Sequence, residues 1–106
     1  MRKKSDPEEA LREKMEKRTG TVIISVEDRA QAPALNAILS KHADIILCRV
    51  GYPRPSRNSI ITILIEGTTD RIGALTGQLG RLSGIEVKSA LLKPRNDSDD
   101  ETALQD

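Results

Sequence analysis

The sequence predicts one α+β domain of β-α-β-β-α-β order, with a four-stranded antiparallel sheet and two helices on one face. Three observations predict it. First, the chain repeats itself: Val22–Glu27 matches Ile61–Glu66, Ala34-Leu35 matches Ala74-Leu75, Leu39 matches Leu79, and Ile45 and Leu47 match Ile85 and Val87. Second, each copy runs from a β-branched apolar segment through a segment of helical period to a second apolar segment, which reads as strand, helix, strand. Third, right-handed crossovers bring two such units into a single sheet with both helices on the same side.

The elements follow in order. Residues 1–19 are a charged segment, in which Ser5-Asp6-Pro7-Glu8-Glu9 has the cap, proline and first-turn acids of a helix start. Only Ala10, Leu11 and Met15 supply an apolar stripe, so a solvated or frayed helix is expected there. Val22–Glu27 is the first strand. Pro33 suits the first turn of the first helix, and Leu35, Ile38 and Leu39 give that helix one apolar face. Residues 51–58, Gly-Tyr-Pro-Arg-Pro-Ser-Arg-Asn, carry two prolines and predict the connection between the halves. Ile60–Glu66 is the third strand. Thr69 or Asp70 is predicted to cap the second helix, whose apolar face is Ile72, Leu75, Leu79 and Leu82, and Gly84 is predicted to end it in a left-handed conformation. Residues 94–106 are acidic with few apolar side chains, which predicts a disordered tail. Both ends are expected to be dispensable for folding, since neither offsets an ordering cost of about 1–2 kcal/mol per residue.

The 106 residues suffice for one domain, here residues 20–93. A core of roughly 75 residues is small enough that an oligomer would add needed stability. Net charge is +1, which gives no general call for nucleic acid or membrane. Tyr52 is the only aromatic residue, so the core must be Ile, Leu, Val and Ala. One cysteine, Cys48, allows no internal disulfide. No run reaches transmembrane length and no apolar signal-peptide core opens the chain, so a cytoplasmic protein is expected. Alternation places Val22, Ile24, Val26, Ile61, Ile63 and Ile65 against the helices. Ile23, Ser25, Thr62 and Leu64 then face away, together with Ile46, Cys48 and Val50 of the second strand. That outer face is too apolar for plain solvated surface, although Glu27, Glu66, Glu86 and Lys88 keep it from being a full core. A homo-oligomer, dimer or tetramer, is the simplest cover.

Catalysis has little support from the residues. One His, one Cys and no phosphate-binding glycine loop make no nucleophile–base set; the Gly-Thr-Thr-Asp run at 67–70 has no lysine in the Walker position. His42 and Cys48 are the soft metal-ligand candidates, and two are too few for a closed site unless symmetry copies add more. As structural residues, His42 suits the last turn of the first helix and Cys48 a small hydrophobe in a strand. No metal and no cofactor are expected. Gly73, Gly77 and Gly80 line one stripe of the second helix, each costing roughly 0.5–1 kcal/mol relative to Ala. Close packing on Pro33, Ala37 and Ser40 of the first helix is expected to offset Gly77 and Gly80. Gly73 lies at the helix start, where free N–H groups attract anions such as a carboxylate. Arg49, Arg54 and Arg57 flank the connection between halves, either as plain surface or as an anion or acidic-partner contact.

Two stretches carry a family resemblance. Asp70-Arg-Ile-Gly73-Ala-Leu75 resembles the Asp-x-Pro-Gly-x-Leu core of ACT domains, small ligand-binding regulatory modules, with Ile72 where that family usually has Pro. More closely, Thr21–Lys93 is similar to small bacterial proteins described as regulators of the iron-only hydrogenase system, through Arg49-Val-Gly51-Tyr-Pro53 and Gly67–Gly77. The resemblance implies an ACT-like, ferredoxin-like fold, similar to the C-terminal domain of the nickel-responsive repressor. This chain lacks that repressor's set of histidines and its ribbon-helix-helix domain. The expectation is a non-enzymatic, ligand-sensing regulator that binds a small anion such as an amino acid near a subunit interface. The residues expected to bind it are Thr68, Thr69, Asp70, Ile72 and Gly73. A structural assembly module without a ligand is the alternative. An RNA-binding module of the same topology is a weaker one, since such modules stack bases on sheet aromatics and the expected sheet face has Ile, Ser, Thr, Leu and Cys and no aromatic.

Overall fold

The computed structural model describes residues 7–8 and 16–93. Pro7 and Glu8 are helical; residues 1–6 and 9–15 of the expected N-terminal segment and the tail from 94 onward lie outside the described residues, and its residues 17–19 are strand, not helix. Strand β1 is Lys17–Val26, helix α1 Ala32–Lys41, strand β2 Ile46–Tyr52, strand β3 Ser59–Thr68, helix α2 Thr69–Gly80 and strand β4 Ile85–Leu91. Single 3-10 turns, Arg29–Gln31 and Ala43–Ile45, lie on either side of α1. The sheet order is β2-β3-β1-β4 with every pair antiparallel. This is the ferredoxin-like α+β arrangement the repeat predicts.

Alternation decides the core. Val22, Ile24, Val26, Ile63 and Ile65 are buried, and they pack against Leu35 and Leu39 of α1 and Ile72, Leu75 and Leu79 of α2. Both helices therefore cover the same face. Ile61, Val87 and Ile85 are partly buried at its margin. The opposite face leaves Ile23, Leu64, Val50 and Tyr52 exposed.

Four local expectations change. Strand β1 starts at Lys17, well before Val22, because β3 runs on to Thr68 and pairs it residue for residue. In β2, a register irregularity between Ile46 and Cys48 breaks the alternation. Ile46 pairs with Ile65 and packs on the core side, contrary to the outer placement expected; Cys48 and Val50, opposite Leu64 and Thr62, are on the outer face. A bulge shifts parity by one residue, which period-two reading cannot see. Helix α2 ends at Gly80, and Gly84 (φ +72°) shapes the turn into β4, where its carbonyl accepts from the Glu27 N–H at 2.8 Å. Lastly, Gly77 and Gly80 do not pack on α1. A Cβ at Gly73, Gly77 or Gly80 would meet nothing within 4 Å, and Pro33, Ala37 and Ser40 are exposed as well. The α1–α2 contact is made by the large side chains of the buried faces, which hold the glycine stripe out toward solvent.

Candidate functional site

Chain direction sorts the connections into two ends of the sheet. At one end lie the α1–β2 turn and the start of α2; at the other lie the β1–α1 and β2–β3 connections.

The start of α2 holds the residues expected to bind a ligand. Thr68 is the cap, one residue before the expected Thr69 or Asp70: it has extended backbone and its hydroxyl accepts the Arg71 N–H at 3.2 Å. Arg71 also reaches Asp44 in the α1–β2 turn, Nη2 to Oδ1 at 2.7 Å. The hydrogen bond from Arg71 holds the Asp44 carboxyl below its ordinary value, and the same contact raises the Arg71 guanidinium. Both groups are exposed, so the pair fixes local geometry more than it stabilises the fold. Thr69 is half-buried, and Asp70 and Gly73 are exposed. Ile72 points into the core. The structure thus gathers Thr68, Arg71 and Asp44 at this end, with Gly73 bare one turn along the helix, and directs Ile72 elsewhere.

His42 caps the C-terminus of α1. It is 5% exposed, and its Nδ1 lies 3.0 Å from the Ile38 carbonyl, to which it donates. Cys48 is exposed on the outer sheet face. Among the described residues no three His, Cys, Asp or Glu side chains form a metal-binding group.

The other end is built from arginines. Arg54 donates to the Asn58 carbonyl at 2.9 Å and to its side-chain Oδ1 at 2.6 Å, and lies 5.9 Å over the Tyr52 ring. Asn58 in turn donates to the Ser25 hydroxyl, which ties the β2–β3 connection to β1. Ser56 takes a left-handed conformation (φ 63°) to make the turn. Arg29, in the β1–α1 connection, donates from Nη2 to the Arg54 carbonyl at 3.0 Å. Arg49 donates from Nη2 to Asn36 Oδ1 of α1 at 3.0 Å. Between these elements opens a cleft of about 320 Å³, lined by Arg29, Arg49, Asn36 and Ser59 over apolar Val26, Leu35 and Ile61. A wider polar cleft of about 600 Å³ shares Arg29 and adds Glu27, Arg57 and Asn58. A third, of about 280 Å³, lies on the outer sheet face between Ile23, Ile60, Glu86 and Lys88. Sequence reading singled out Arg49, Arg54 and Arg57 but missed Arg29 and Asn36. The topology held the signal, since strand order puts the β1–α1 and β2–β3 connections at one end.

Residues 18–89 match the TM1266-like family, described as "Iron-only hydrogenase system regulator, putative". Among solved structures, the chain is similar to the uncharacterized protein TM1266 from Thermotoga maritima, at 42% identity and TM-score 0.69, over 74% of this chain and 100% of that one. An unknown protein from Galdieria sulphuraria aligns at 11% identity and TM-score 0.51, over 77% of this chain and 49% of that one. The de novo designed protein Foldit4 aligns at 14% identity and TM-score 0.51, over 76% of this chain and all of that one. The last two share the fold alone. A search of curated proteins gives no match.

Proposed function

The chain belongs to the TM1266-like family, and from that premise we propose that it acts as a non-enzymatic regulator which senses a small anionic ligand at the start of α2. The family description supports the regulatory role and the link to the iron-only hydrogenase system. The observation that carries the site is the exposed first turn of α2: Thr68 takes up one N–H, and Gly73 leaves open space beside the backbone. The unpaired N–H groups of a first turn attract an anion. Thr69 and Asp70 rim the same turn, and Ile72 fixes it by anchoring in the core. An amino acid carboxylate is a ligand of suitable charge. The protein works as a homo-oligomer through its apolar outer sheet face, which brings ligand response and subunit contact into one small unit.

A thermal-shift screen of the full chain against amino acids, other small organic acids and divalent metals tests this. An active ligand raises the melting temperature, and Gly73→Val abolishes the response without unfolding the protein, since a Cβ there meets nothing within 4 Å. A ligand whose effect survives Gly73→Val does not bind at this turn. An assembly module without a metabolite is the second reading, favoured by the exposed Ile23, Val50, Tyr52 and Leu64. It predicts no response to any compound in the screen.

A further inference from the structure

The cleft between α1 and the β1–α1 and β2–β3 connections brings two guanidinium groups, Arg29 and Arg49, over an apolar floor of Val26, Leu35 and Ile61. Each is held by a neutral acceptor, the Arg54 carbonyl for Arg29 and Asn36 Oδ1 for Arg49. Among the described residues the one ion pair is Arg71–Asp44, at the far end of the sheet, so no described carboxylate forms an ion pair with either arginine. Guanidinium stays charged throughout the working pH range. Both tethers are neutral, so neither one cancels the charge of its arginine at the cleft that the two residues line. Two like charges sharing one concavity repel, and an oxoanion received between them reverses the sign of that interaction, with charge-assisted hydrogen bonds from planar forks. The floor asks for an apolar body, and about 320 Å³ is at the lower end of small-ligand sites.

We propose that this cleft is a second binding site, specific for a compact organic anion with an apolar body and a carboxylate or phosphate head, and selective against α-amino acids. The selectivity follows from the lining. No carboxylate lines this cleft to receive an ammonium group, and Arg29 and Arg49 repel one. Glu27 lies in the adjoining polar cleft. The site is separate from the start of α2 and does not depend on the reading made there.

Calorimetry on the full chain with matched probes tests the proposal. 4-Methylpentanoate and leucine share a body and a carboxylate and differ in the ammonium group. Phenyl phosphate against inorganic phosphate isolates the apolar body, and phenyl phosphate against 3-phenylpropanoate separates the two head groups. The expected result is that one or both organic anions bind, that leucine and inorganic phosphate bind at least tenfold more weakly, and that Arg49→Gln and Arg29→Gln each weaken the bound anion by about ten- to a hundredfold. Arg49→Lys, which keeps charge but loses the fork, falls between. Arg29→Gln also removes a loop contact, so the native-chain comparisons decide the matter if that variant melts early. Leucine binding as tightly as 4-methylpentanoate and weakened in the same way by Arg49→Gln overturns the proposal, as does silence from every organic anion at millimolar concentration. An anion that binds the Arg49→Gln variant unchanged but is lost in Gly73→Val overturns it too, and leaves the α2 reading standing.

Discussion

The exposed face of α2 carries a cost at single residues: a Cβ at Gly73, Gly77 or Gly80 would meet nothing within 4 Å, so the helix gives up propensity there for no contact within the chain. Gly84 was legible as a left-handed position, and the structure uses it so, but in the turn before β4 and not at the helix end. His42 was legible as a helix-terminal donor, because a carbonyl-rich C-terminus wants an N–H there, and it makes that bond. The glycine stripe faces open space and not the first helix, for a physical reason. Small residues at matching helix positions signal close approach only if those positions face each other, and the angle at which two helices roll onto a sheet is not written in either one. With open space at Gly77, Gly77→Ala should stabilise the protein by about 0.5–1 kcal/mol through helix propensity alone. A higher urea midpoint for the variant checks this. A lower one would mean that another chain lies against the stripe in solution.

At the level of elements, the strands were the most legible. Period-two burial in β1 and β3 follows directly from β-branched alternation, and it fixes which side the helices take. What failed was parity in β2, where a bulge costs one residue, and the reach of β1, whose first residues are charged yet pair with β3. Pairing of an exposed strand end depends on its neighbour's length, a property outside the local sequence. Gly20 marks where this extension crosses β4. It is buried opposite Leu91, and a Cβ would overlap the Ala90 carbonyl oxygen and the Leu91 side chain. Gly20→Ala should therefore destabilise by roughly 1–3 kcal/mol, as overpacking does, and the loss would come from a carbonyl that cannot rotate aside. Thermal melting of the variant measures it. At the two ends of the sheet, the sequence offered the cap-and-glycine pattern of α2 directly, whereas the arginine cleft needed residues from the β1–α1 connection, α1, β2 and β3 to converge, which only topology supplies.

For the whole molecule, one sheet face is packed and the other is half apolar. Ile23 is 47% exposed, Val50 58%, Tyr52 63% and Leu64 41%, on three adjacent strands. A second copy covering this patch would remove it from water, and sedimentation at micromolar concentration should show a dimer or larger species. Leu64→Lys places an uncompensated charge at its centre and should shift the distribution toward monomer while leaving the helix-side core intact. A native chain that sediments as a monomer would remove the outer face as an assembly surface. The chain also enters and leaves the sheet side by side. Gly20 pairs with Leu91, and Arg18 donates twice to the Leu92 carbonyl, at 3.1 and 2.8 Å. Because β1 and β4 are antiparallel neighbours, a pull applied across those two points loads their ladder from one end. Bonds perpendicular to the strands then break rung by rung, so the fold yields like an opened zipper at low force, with the Arg18 tether as the first link to give.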